Sequence, residues 1–117
     1  MEKYYTTRAK ADAYDSVIGI FNQMFKEVKE LGKKKPESTL NPSKVKIINR
    51  VLADVRSALE GESTFKYLDL LDDELLPQYS DAILIMSQYE GALNSFRERH
   101  FGWSDAIRGS SWFIKGE

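Results

Sequence analysis

Six apolar residues set the first constraint on what this chain folds into. Tyr14, Val17, Phe21, Met24, Val28 and Leu31 recur at alternating steps of three and four. That spacing collects them on one side of an α-helix and scatters them in a β-strand. Ile18 and Phe25 widen the stripe. The pattern predicts a helix over about 7–31, with Gly32 standing where a left-handed residue commonly closes one. A helix of that length with one apolar side needs other elements to cover it.

Two further patterns answer that need. The stretch from Lys33 to Pro42 holds two Pro and no periodicity, so it reads as a loop. Asn41 is placed to cap a second helix whose first residue is Pro42. Val45, Ile48, Leu52, Val55 and Leu59 repeat at helical spacing, with Ile47, Val51 and Ala58 beside them and Gly61 as a stop. This predicts a helix over about 43–60. Phe65, Leu68 and Leu71 predict a short helix near 64–71, capped by Ser63 or Thr64. A third long helix is expected over about 77–100. Ala82, Ile83, Ile85, Met86, Tyr89, Ala92, Leu93 and Phe96 cover so much of its circumference that it should lie at the centre. Arg97, Arg99 and His100 fall in its last turn, where positive charge complements the helix dipole, and Gly102 ends it. No β alternation or internal repeat is evident. The expected fold is therefore all-α, a compact antiparallel bundle of three long helices plus one short helix. The tail from Trp103 is open to two forms, a short helix or an extended arm, either packed on the bundle or exposed.

Inventory narrows the chemistry. The 117 residues suffice for one domain, 1–117, and no more. With no Cys, disulfides, cysteine zinc sites and thiol catalysis fall away. His100 is the only His, which leaves no site that needs two imidazoles and gives His100 the reading of a solvated or dipole-pairing residue. The longest apolar run, Ala82 to Met86, is too short for a bilayer. The opening Met1-Glu2-Lys3-Tyr4-Tyr5 has no apolar signal core, so a cytoplasmic protein with no membrane partner is expected. Glu27 with Glu30, and Asp69 with Asp72, lie one turn apart, as magnesium-binding carboxylates do. Among 18 acidic residues such pairs read better as solvated helix faces. Neither a Gly-x-Ser-x-Gly elbow nor a phosphate loop is present. The expectation is a protein that is not an enzyme and has no cofactor and no metal.

Charge is more informative in its distribution than in its total of −1. Residues 1–50 carry 11 Lys and Arg against six acids, and residues 51–117 carry six against 12. Lys33, Lys34, Lys35, Lys44, Lys46 and Arg50 form a basic stretch suited to phosphates, which makes nucleic acid the alternative partner. The scarcity of Arg, and a connection too long for a helix-turn-helix, favour a solvated loop. Asp69, Asp72, Asp73 and Glu74, interleaved with Leu68 and Leu75, form an acidic rim around leucines. That is the composition of a docking surface for a basic protein partner, or for self-association as a homodimer. Trp103, Trp112 and Phe113 give the tail a strongly apolar content, which either plugs a groove or binds a partner. The function expected is that of a non-catalytic helical protein–protein interaction module: an adaptor, a regulatory subunit or an inhibitor of the immunity type.

Overall fold

Three α-helices form where the three-four spacing places them. The computed structural model describes residues 4–116; Met1–Lys3, part of the stretch read for a signal, and Glu117 lie outside the described residues. Helix α1 spans Arg8–Lys34, α2 Pro42–Ala58 and α3 Tyr79–His100. A 3-10 turn covers Phe65–Tyr67, and two short strands follow α3: β1 (Phe101–Ser104) and β2 (Gly109–Trp112). The helix starts follow from side chains that satisfy free amides. The Thr7 hydroxyl accepts the Lys10 amide at 3.2 Å, and the Asn41 side chain accepts that of Lys44 at 2.8 Å ahead of Pro42. The Asp81 carboxylate reaches back to the Gln78 amide at 3.2 Å.

Contacts within the shared core set the helix directions. The rings of Tyr14 and Phe96 stack at 5.7 Å, those of Phe21 and Tyr89 at 6.4 Å, and Gly32 lies against Ile83. Helices α1 and α3 therefore run in opposite directions. At the other side of α1, Lys10 pairs with Glu62 just past the end of α2. The Lys44 ammonium donates to the Tyr79 hydroxyl at 2.8 Å, which brings the starts of α2 and α3 together. Thus α2 and α3 run the same way, both against α1, and the long connection 59–78 carries the chain back.

The middle helix is α1, which packs on both others. Expectation had put α3 there. The buried residues of α3, among them Ala82, Met86, Tyr89, Leu93 and Phe96, form a single stripe, while Leu84 is exposed and Ile83 and Ile85 are half-buried. Its broad apolar content is not matched by neighbours all round.

Three other expectations are corrected. Gly32 does not end α1, which continues to Lys34. Helix α3 passes so close that a Cβ at Gly32 would sit 2.7 Å from Ile83 Cδ1, so the glycine permits a close approach. The short helix expected over 64–71 shrinks to the single turn Phe65–Tyr67. Leu68 and Leu71 still reach the core, but on extended chain whose backbone groups are met by distant side chains. Asn49 accepts the Leu71 amide at 2.8 Å and donates to its carbonyl at 2.9 Å, and the Tyr89 hydroxyl donates to the Asp69 carbonyl at 2.7 Å.

The third correction concerns the tail, which is neither a short helix nor an arm. Strands β1 and β2 pair antiparallel from Phe101↔Trp112 to Ser104↔Gly109, so the protein is mostly helical but not all-α. Four-residue strands are too short for an alternating pattern to stand out. Trp112 seats the hairpin on the helices, 5.1 Å from the Tyr14 ring and 5.6 Å from Phe96, with its indole N–H donating to Asp15 at 3.1 Å. Beyond the hairpin, Ile114 bridges Thr6 in parallel. Among the described residues no helix is long and apolar enough to cross a membrane.

Candidate interaction surfaces

The acidic link divides its residues between two sides. Leu68 is buried in the core and is not available to a partner, whereas Asp69, Asp73 and Glu74 are exposed and Leu75 is 81% exposed. Asp72 shapes this division. Its carboxylate accepts the amides of Glu74 at 2.8 Å and Leu75 at 2.9 Å, forming a tight turn that holds Leu75 outward. Those amides, Leu75 first and Glu74 second, hold the Asp72 carboxyl below its ordinary value. The hairpin divides its residues likewise. Trp112 is the anchor and Phe113 is half-buried, while Trp103 is 60% exposed with its N–H donated to Asp105 at 2.8 Å. Leu75 and Trp103 are thus the outward members of the two stretches singled out from sequence.

The lysines of the basic stretch come together at one end, and Arg50 lies further along α2. Lys33 and Lys34 lie in the last turn of α1, Lys35 follows it, and Lys44, Lys46 and Arg50 are exposed on α2. The connection between α1 and α2 pairs with the end of the acidic link: the Leu40 amide donates to the Pro77 carbonyl and the Tyr79 amide to that of Ser38, both at 2.9 Å. The segment after Lys35 and the end of the link after Glu74 therefore lie side by side. Among the described residues no ion pair joins Lys33–Lys35 to Asp72–Glu74; Lys33 pairs with Glu30 at 3.2 Å.

At the opposite end lies a polar cluster that sequence reasoning missed. His100 is buried, not solvated, with Nδ1 2.8 Å from the Tyr4 carbonyl and Nε2 3.4 Å from Glu62 Oε1. The other Glu62 oxygen takes the Lys10 ammonium at 2.8 Å. Burial alone would raise the Glu62 carboxyl; hydrogen bonds and charge from Lys10, and then from His100, outweigh it and hold the carboxyl below its ordinary value. The three residues join α1, the loop after α2, the end of α3 and the segment around Tyr4. No motif announces them, because they come from three separate parts of the sequence. They line a pocket of about 470 Å³, and among the described residues no group of three or more metal-ligating side chains is assembled.

A groove of about 550 Å³ runs between α1 and α2. Val17 and Val51 lie along it, Ile20 and Ile47 stand at one end, and Ala13, Ser57 and Ala58 line the other. Ile20 is 60% exposed and Ile47 57% exposed, an unusual position for β-branched apolar side chains on two adjacent helices. Arg50 and Asp54 border the groove one turn apart on α2. Sequence reading did not find it: Ile47 counts there as part of the α2 apolar pattern, and Ile20, off the α1 stripe, is not singled out. Comparison with protein-family models, curated proteins and solved structures finds no match for this chain.

Proposed function

We propose that this protein is a single-domain, cytoplasmic helical bundle, its neighbouring helices largely antiparallel, that works without catalysis by binding another polypeptide, as an adaptor, regulatory subunit or inhibitor does. The observation that carries the reading is the open apolar groove between α1 and α2, where Ile20 and Ile47 expose surface that a helix or a facing apolar side would cover. Leu75 within its acidic rim and Trp103 on the hairpin are the second and third contact points. A photo-reactive residue placed at Ile47 tests the reading in cells that express the chain. Adducts with any polypeptide, in excess of those from the same residue at exposed Asn22, are expected. Equal yields at the two positions would refute the reading.

A second reading rests on the gathering of Lys33, Lys34, Lys35, Lys44 and Lys46 at the end where α2 begins. There the cations and a helix start favour phosphate groups, and hence nucleic acid. It predicts salt-sensitive binding that disappears when Lys33, Lys34 and Lys35 are changed to Glu. Unchanged binding in that triple variant would dismiss it.

A further inference from the structure

The α1/α2 groove is asymmetric in a way that matches its own inverse. Its bulky side chains, Ile20 and Ile47, stand at one end, and the small ones, Ala13, Ser57 and Ala58, at the other. Arg50 and Asp54 sit on either side of its middle, and among the described residues neither belongs to an ion pair. Rotation by a half-turn about an axis crossing the groove near Val17 and Val51 exchanges the two ends. The isoleucines of one copy then face the small residues of the other, and each Arg50 faces an Asp54. A two-fold interface requires just this self-complementarity, in which a residue i meets j and j meets i.

We propose that the groove is covered by a second copy of this chain, forming a two-fold dimer with α2 antiparallel to α2 and α1 to α1. This rests on the reading of the groove as an interaction surface and names its occupant. Size sets the strength. Ten residues line the groove, against the roughly 20–30 residues a side of a stable complex, so the dimer is a weak one.

Sedimentation of the full chain from about 1 to about 500 µM tests it, across the range in which such a dimer forms. The expected result is a reversible monomer–dimer equilibrium. Ile47→Asp abolishes it while far-UV circular dichroism stays unchanged, because the side chain is exposed. Arg50→Asp and Asp54→Arg each weaken the dimer about tenfold, since two-fold symmetry makes each change count twice. The double variant R50D/D54R returns to within about threefold of the parent, a recovery that only reciprocal pairing produces. Overturning results are a monomer throughout, a dimer indifferent to Ile47→Asp, or a double variant no better than the singles. Adducts at position 47 with a different polypeptide and none with a second copy would overturn the dimer while leaving the interaction reading intact.

Discussion

Helix α1 meets α3 and α2 in contrasting ways. Toward α3 it offers rings, and the pairs Tyr14–Phe96 and Phe21–Tyr89 fill the contact. Toward α2 it offers Ala13 and Ser16, opposite Ser57 and Ala58, and the contact stays open along one side. The three-four spacing decides where a helix packs. Side-chain volume decides whether the seam closes.

The sharpest test of this contrast compares adjacent residues. Phe21→Ala, on the closed side, should cost about 4 kcal/mol, as the loss of a fully buried ring does. Ile20→Ala, on the open side, should stay within about 0.5 kcal/mol. Urea unfolding of the two variants measures both, and equal losses would break the contrast. The same comparison extends to the hairpin. Trp112→Ala should cost about 3 kcal/mol because it removes the ring that joins the hairpin to Tyr14 and Phe96. Trp103→Ala, across the same hairpin, should cost under about 0.5 kcal/mol.

The polar cluster around His100 carries a pH response of its own. The Glu62 carboxyl has a lowered value in the folded state, so its contribution is complete above its ordinary value of about 4.5 and fades as pH falls through the folded one. Thermal unfolding between about pH 5 and 3 should show Tm falling with acid, and Glu62→Gln should make that fall shallower. A slope unaffected by Glu62→Gln would remove the cluster's role. The smallest effect belongs to the hairpin turn. Arg108 sits at φ 53°, where an L side chain is strained. Arg108→Gly should raise stability by about 0.5 kcal/mol, the strain relieved less the added freedom of the unfolded chain. Chemical denaturation reads it, and a decrease would show that the turn is held by the arginine side chain.

What was legible in the sequence was local. The stripes of α1 and α2 and the Asn41-Pro42 start depend on residues three or four apart, and they stand where read except at the end of α1, where Leu31 is exposed and Met24 only partly buried. The link through Leu68 and Leu71 was misread because its backbone is satisfied by Asn49 and Tyr89, residues 20 or more positions away. The hairpin escaped because its strands are short and its left-handed position holds Arg108 in place of the Gly or Asn that marks such turns. His100 looked like a surface residue because its partners, Glu62 and the Tyr4 carbonyl, come from distant parts of the chain. The groove was not legible: Ile47 counts in sequence as one more apolar residue beside the α2 stripe, and the small residues that leave space next to it carry no signal until α1 and α2 are side by side.

The bridge between Thr6 and Ile114 also leads to an expected order of events. The Thr6 amide donates to the Phe113 carbonyl and the Lys115 amide to that of Thr6, both at 2.9 Å, so this seam joins the two ends of the described chain. Contacts between segments that distant in sequence form late, after the helices have found one another. The end of the molecule holding His100 and Glu62 is therefore expected to assemble last and open first. In native-state hydrogen exchange its amides should trade with solvent ahead of those around Phe21 and Leu52, well before the chain unfolds as a whole.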